Sequence, residues 1–208
     1  GLSKERRLEP QIVVGLLVDQ TGFPLSVHSF EGNTAETKTI LPVLEEFRLE
    51  HPLPRMTVVA DAAMMSLQNL TALAAAGYTY IVGSRLTKIP YAIAEYQKTG
   101  NLADRQIVVD SRPDYGIIYQ YKERRAALDL KNIEKQIAKV QKIISGQSPA
   151  HRSKFVTIKT KERSLNRKLI EKTYALAGIK GYVTNLSAPN DQIITAYHQL
   201  CQVEASFR

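Results

Sequence analysis

The chain has 208 residues, 44% of them hydrophobic and 23% charged, which is the composition of a globular protein with a core of its own. No apolar run approaches the roughly 20 residues that cross a bilayer, and no signal-peptide pattern occurs, so we expect no membrane partner. The single cysteine, Cys201, excludes an internal disulfide and favours a cytoplasmic location.

The first part of the chain alternates strand and helix patterns. Asn33 or Thr34 is the expected cap of the first helix, and Asp19 has the residue type and position of a turn residue. The pattern β-β-α-β-α-β predicts half of a three-layer α/β domain. The predicted elements are strands over 12–18 and 23–30, a helix ending near 50, a strand ending at 60, a helix over 66–76 and a strand over 78–83.

The second part has a different character. Its residue pattern predicts a helix, then a hairpin that pairs 105–110 with 116–121, and then a long helix over 123–144. A strand over 155–158, a helix over 165–176 and a strand over 181–186 are expected to follow. Asn190 or Asp191 is the expected cap of a last helix, which would continue towards the end of the chain. The apolar seam expected on the long helix is Leu130, Ile133, Ile137, Val140 and Ile144.

Asp61 ends the short β-branched run Thr57-Val58-Val59-Ala60 and precedes a helix. In an α/β unit this position lies just beyond the carboxyl end of a buried strand, where open sheets collect ligands and catalytic groups. The alternative is that Asp61 only caps the helix that follows.

Positive charge is concentrated in residues 122–168, which hold 14 Lys and Arg against 4 acidic residues. Such a local excess indicates a polyanionic partner, and a nucleic acid is the partner we expect. A solvated helix face is the alternative interpretation. The candidate DNA-binding residues are Arg124, Arg125, Lys131, Lys135, Lys139 and Lys142.

Glu204 supplies a second carboxylate of interest. The apolar stripe of the last predicted helix, Ile193, Tyr197, Leu200 and Phe207, has Glu204 where another apolar residue belongs. A carboxylate there is costly to desolvate unless it is paired or binds a cation, although an exposed helix end would also accommodate it. Together, Asp61 and Glu204 suggest a divalent-metal site with hard oxygen ligands that acts on a phosphodiester.

The sequence also resembles the DDE transposases of bacterial insertion sequences over essentially its whole length. Tyr197 and Glu204 match a pattern near the third acid of that family, whereas Leu200 stands at its Arg position and Ala63 replaces a common Gly after the second acid. The segments that carry the resemblance are 15–19, 30–33, 58–66, 80–85, 181–186 and 197–208.

The resemblance implies a ribonuclease H-like α/β fold interrupted by an inserted mixed α+β module. Residues 1–84 would form the first part of the catalytic domain, 85–186 the basic insertion, and 187–208 a helix that carries the third acid. Asp61 would be the second catalytic acid and Glu204 the third, and both would bind metal. Tyr197, Asn33, Arg85 and Arg208 would lie near the site.

The implied activity is cleavage and strand transfer of insertion-sequence ends with two Mg²⁺ or Mn²⁺ ions. The implied partner is double-stranded DNA, as element ends and target DNA, bound by a homodimer at the nucleoid in the cytoplasm. The first acid would precede residue 1, so we expect this chain to be an inactive fragment cut at both ends. The alternatives are a ribonuclease H-like nuclease without joining activity and a catalytically silent DNA-binding remnant.

Overall fold

The computed structural model describes residues 12–35, 38–53, 55–62, 65–148, 153–159 and 162–200. Within these ranges no helix combines the length and the apolar character that crossing a membrane requires. The elements, in chain order, are β1 (Ile12–Val18), β2 (Pro24–Glu31), α1 (Ile40–Glu50), β3 (Thr57–Ala60), α2 (Leu67–Ala75), β4 (Thr79–Ser84), α3 (Tyr91–Thr99), β5 (Ile107–Ser111), β6 (Gly116–Tyr121), α4 (Glu123–Ile144), β7 (Val156–Lys159), β8 (Glu162–Leu165), α5 (Arg167–Ala175), β9 (Ile179–Thr184) and α6 (Asn190–His198).

The fold is mixed α/β, with a mixed five-stranded sheet and six helices among the described residues, and it is consistent with a ribonuclease H-like transposase domain. Hydrogen-bonded neighbours in that sheet follow the order β3-β4-β9-β6-β5. Strands β3 and β4 are parallel, with Thr57 opposite Thr79 and Ala60 opposite Val82. Antiparallel pairs are formed by β1 with β2 and by β7 with β8.

Two expected helix caps are wrong. Helix α1 begins at Ile40, and neither Asn33 nor Thr34 caps it, because both residues lie in the turn that follows β2. Helix α6 begins at Asn190, and its N-cap position is held by Pro189 without a side-chain hydrogen bond. Asn190 is already inside the helix, so its side chain does not take the capping position.

The chain forms two compact units. Of the residues that the structure describes, the first unit contains those within 1–84, 111–117 and 182–208, and the second contains those within 85–110 and 118–181. In the first unit the buried positions of α1 are Ile40, Val43, Leu44 and Phe47, which confirms the helical spacing of its apolar residues. Ile40 and Leu44 belong to a core that also contains residues of α2, β3, β4 and the position before β4, namely Ala60, Leu70, Leu73, Tyr78, Tyr80 and Val82.

In the second unit α4 packs against β8 and α5. Its core contains Ile133, Val140 and Phe155, with Leu165, Leu169 and Ile170 packed against them. The expected seam of α4 is wrong at its last position, because Ile143 is 1% exposed whereas Ile144 is 38% exposed. Ile143 follows Val140 by three residues and Ile144 follows it by four. Both spacings suit one helix face, so packing rather than periodicity selects Ile143. Strand β8 was not expected, since the polar residues of Glu162–Leu165 show no apolar alternation.

Candidate active site

Asp61 follows the last residue of β3 and is exposed. It stands one residue beyond the pair Ala60 and Val82, so its carboxylate lies at the carboxyl end of the parallel strands β3 and β4. Ligand and catalytic groups of open α/β sheets gather at this edge.

Ser66, rather than Asp61, caps helix α2. The Ser66 hydroxyl oxygen accepts a hydrogen bond from the backbone N–H of Asn69 at 3.2 Å, and Leu67 is the first residue of the helix. The capping function is therefore already filled, and the Asp61 carboxylate is not needed for it.

Two donors converge on one oxygen of Asp61. Its Oδ1 accepts the backbone N–H of Ala62 at 2.7 Å and the hydroxyl of Tyr197 at 3.1 Å. Among the described residues, the structure records no hydrogen-bond or ion-pair partner for Oδ2. One oxygen is therefore held by the protein, and the other is available to an external group.

Tyr197 reaches Asp61 from α6. Its side chain is 5% exposed and shares the buried face of the helix with Ile193 and Ile194. The ring meets Tyr182 edge to face, with 5.0 Å between ring centroids. These contacts fix the ring, so that its hydroxyl group is directed at the end of β3.

Gly83, in β4, makes room for this contact. A methyl carbon at Gly83 would lie 2.6 Å from the Tyr197 hydroxyl oxygen and 3.3 Å from the backbone nitrogen of Ala62. No side chain fits there without moving Tyr197. Sequence reasoning assigned no role to Gly83, although a glycine inside a strand often marks a close approach.

Two residues at the carboxyl end of β9, Thr184 and Asn185, hold β4 by side-chain hydrogen bonds. Asn185 accepts the backbone N–H of Tyr80 at 2.8 Å and donates to the carbonyl of Tyr78 at 3.1 Å. The hydroxyl of Thr184, the last residue of β9, donates to the carbonyl of Tyr80 at 2.6 Å. These bonds satisfy buried backbone groups and hold the strand that carries Gly83.

Of the other sequence-predicted site residues, Asn33 and Arg85 lie within the described part of the chain, and neither forms a recorded hydrogen bond with Asp61. Asn33 is exposed in the turn after β2, and no hydrogen bond joins it to Asp61. Arg85 is exposed directly after β4 and belongs to the second compact unit. Glu204 and Arg208 lie outside the described residues, as does Ala63.

The described residues contain no group of three or more acidic, histidine or cysteine side chains that could hold a metal ion. Asp61 nevertheless has the chemistry of one ligand, because it presents an exposed carboxylate oxygen of the hard type that Mg²⁺ and Mn²⁺ prefer. Glu204, the second predicted ligand, lies outside the described residues.

The candidate DNA-binding residues lie on α4, away from its buried face. Arg124, Lys131, Lys135 and Lys142 are exposed and follow one line along the helix, opposite Ile133 and Val140. Lys139 is exposed slightly to one side of this line.

Arg125, in contrast, forms an ion pair within α4. Its guanidinium group pairs with Asp129 at 3.5 Å, and Asp129 also accepts the backbone N–H of Gly178 at 3.0 Å. In the described part of the chain, no ion pair is recorded for the four lysines. They are therefore the stronger candidates for phosphate contact.

The α/β fold and a carboxylate at a strand end place the protein among α/β domains whose reactive groups lie at the carboxyl edge of a sheet. A model of the transposase DDE domain family matches residues 3–208. The chain belongs to this family, whose members are nucleases and transferases that act on DNA, generally with divalent metal ions. No curated protein and no solved structure matches the chain significantly.

Proposed function

We propose that the protein is the transposase of a bacterial insertion sequence and that Asp61 and Glu204 are its second and third catalytic acids. The observation that carries the proposal is the exposed Asp61 carboxylate at the carboxyl end of β3, held through one oxygen by Tyr197. The family match over residues 3–208 supplies the reaction class.

Asp61, through its Oδ2, and Glu204 would hold two Mg²⁺ or Mn²⁺ ions. Such ions make water a stronger nucleophile and stabilise the charge that develops on a phosphodiester. The protein contributes carboxylate oxygens fixed at a sheet edge, with one oxygen of Asp61 already occupied by two protein donors.

The proposed reaction has two displacements at phosphorus. In the first, a water oxygen bonds to phosphorus while the bond to the 3′ oxygen breaks, which leaves a 3′-hydroxyl and a 5′-phosphate. In the second, that 3′-hydroxyl attacks a target phosphodiester, and a target 3′-hydroxyl leaves. Each step is an in-line displacement without any oxidant or reductant.

The exposed basic residues that follow one line along α4, Arg124, Lys131, Lys135 and Lys142, would bind the DNA. These cations stand in the second compact unit, which includes most of residues 85–186, the range that we propose as an inserted module. Phosphate contacts by lysine and arginine position a protein on a duplex without reading the base sequence. We place the complex at the nucleoid as a homodimer on the element ends, with target DNA as the second substrate.

Replacing Asp61 tests the catalytic proposal. In the full-length protein, we expect Asp61→Asn to lower cleavage of DNA carrying the ends of its own element by about a thousandfold or more in both Mg²⁺ and Mn²⁺, because a catalytic ligand is lost. Asp19→Asn is the matched control, since Asp19 is also exposed at a strand end but serves a turn. Unchanged cleavage by Asp61→Asn would contradict the proposal.

Assays of joining and of DNA binding with the same Asp61→Asn variant separate the two alternatives. A ribonuclease H-like nuclease would show metal-dependent cleavage that needs Asp61 but would fail to join a pre-cut end to target DNA. A DNA-binding remnant would bind DNA equally well with and without the Asp61→Asn substitution, and neither form would show metal-dependent activity.

A further inference from the structure

Asp61 is oriented by groups from three segments of the first compact unit. The backbone N–H of Ala62, just after β3, and the hydroxyl of Tyr197 in α6 both donate to Oδ1. The backbone of Gly83 in β4 forms the wall against which that hydroxyl lies. The carboxylate is therefore restrained by contacts that are distant in sequence.

The Tyr197 hydroxyl has an unusual position for a core residue. A buried tyrosine hydroxyl must find a partner, and a backbone carbonyl is a common solution. Here the ring is 5% exposed, yet the hydroxyl donates to an exposed carboxylate at the proposed reaction centre. Hydrogen bonds of this kind to a metal-binding carboxylate fix which oxygen faces the metal.

We propose that Tyr197 and Gly83 are positioning residues for Asp61, and the proposal rests on the function proposed above. Tyr197 restrains Oδ1, so that Oδ2 is presented to a divalent cation. Gly83 acts through Tyr197, because only a residue without a side chain lets the hydroxyl approach the end of β3.

Manganese affinity tests the role of Tyr197 without a need for turnover. Titration of the full chain with Mn²⁺, followed by the electron paramagnetic resonance signal of the free ion, gives the dissociation constant. We expect Tyr197→Phe to weaken binding by about 10- to 100-fold, the usual effect of losing a residue that orients a metal ligand. A purely structural tyrosine would lower the unfolding temperature and leave the Mn²⁺ affinity unchanged, which would overturn the proposal.

Gly83→Ala tests whether the Tyr197 hydroxyl needs the space that the missing side chain of Gly83 leaves. We expect it to weaken Mn²⁺ binding about as much as Tyr197→Phe, because the new methyl group would displace the hydroxyl. The double variant Gly83→Ala/Tyr197→Phe should bind no more weakly than Tyr197→Phe alone, since both changes break the same contact. Additive losses would show that Gly83 acts by another route and would overturn its role.

Gly116→Ala is the matched control for a strand glycine. The nearest atom to its added methyl carbon would be the carbonyl oxygen of Thr184 at 3.9 Å, an ordinary contact, so we expect unchanged Mn²⁺ affinity. A loss as large as that of Gly83→Ala would mean that any alanine in these strands disturbs the site, and it would also count against the proposal. If Gly83→Ala does not fold, Tyr197→Phe still decides the matter.

Asp61→Asn distinguishes failure of this inference from failure of the proposed function. If Asp61→Asn loses Mn²⁺ binding while Tyr197→Phe keeps it, only the positioning role is overturned. If Asp61→Asn binds Mn²⁺ as tightly as the unaltered protein, the cation is not held by Asp61, and the proposed function fails together with the inference.

Discussion

Asp19 and Asp61 are both exposed aspartates at strand ends, yet they have different surroundings. The Oδ1 of Asp19 accepts the backbone N–H and the hydroxyl of Thr21 and the backbone N–H of Phe23, at 2.7 to 3.0 Å. The Thr21 hydroxyl is the main reason that the pKa of Asp19 is lowered, followed by the Phe23 N–H. Asp19 is thus a turn residue, as its sequence context predicts, whereas Asp61 keeps one oxygen without a partner among the described residues.

Two glycines with nearly equal φ allow a prediction about stability. Gly77 and Gly178 have φ of 83° and 80°, which an L-residue adopts only with strain. A methyl carbon at Gly77 would meet nothing within 4 Å, whereas at Gly178 it would lie 2.7 Å from both Ala126 Cβ and Tyr121 Cε2. Of these two glycines, Gly178 therefore combines backbone strain with overpacking.

We expect Gly178→Ala to lower the free energy of unfolding by about 2–4 kcal/mol and Gly77→Ala by only about 1 kcal/mol. Urea unfolding, with the slope compared between variants, measures both changes. Equal decreases in the free energy of unfolding would show that Ala126 and Tyr121 move away from the added methyl group at Gly178 without a loss of stability.

At the scale of elements, α4 carries its buried residues and its exposed basic residues on opposite faces. Ile133 and Val140 belong to the second unit's core, and Ile143 is also buried. The basic residues Arg124, Lys131, Lys135 and Lys142 lie on the face opposite Ile133 and Val140. Because packing and charge occupy different faces, the lysines can be replaced without loss of buried contacts. This allows a test in which DNA affinity changes but folding does not.

We expect the triple variant Lys131→Gln/Lys135→Gln/Lys142→Gln to reduce the slope of log K against log salt for duplex DNA by about 3, since each phosphate contact contributes about 0.9. Fluorescence anisotropy across a salt series measures the slope. Lys38→Gln/Lys88→Gln/Lys98→Gln is the control, because it removes the same charge from exposed lysines outside α4. Equal changes in the two triple variants would show that net charge alone attracts the DNA.

At the scale of the whole molecule, stability at high pH reflects a buried tyrosine in the first unit's core. Tyr80 is 3% exposed, and its burial, with smaller contributions from Tyr115 and Asp114, raises its pKa above the ordinary value of 10.0. The folded state therefore retains the Tyr80 proton at pH values where the unfolded chain releases it. Stability from this group is complete below the unfolded pKa and is lost as the pH rises from there through the folded pKa.

We expect the unfolding temperature of the unaltered protein to fall between pH 9 and about 11 more steeply than that of Tyr80→Phe, which has no hydroxyl to ionise. Circular dichroism melts at closely spaced pH values measure the difference. Parallel curves for the two proteins would show that Tyr80 ionises equally easily in the folded and unfolded states.

The amino-acid sequence by itself determined the features that depend on local order. The buried face of α1, the limits of α4 and the strand-end position of Asp61 all follow from apolar periodicity and helix-stop signals, which act over a few residues. The turn role of Asp19 is local for the same reason. The resemblance to DDE transposases rests on short motifs, and the match over residues 3–208 confirms the DDE domain family.

Only the tertiary structure decided which distant groups surround Asp61. The hydrogen bond from Tyr197 spans 136 positions of the chain, and the bonds from Asn185 to Tyr80 and Tyr78 span more than a hundred. The need for glycine at position 83 appears only once α6 lies against β4. Periodicity shows which face of an element is buried but not which neighbour buries it, because that choice is made by packing across the whole unit.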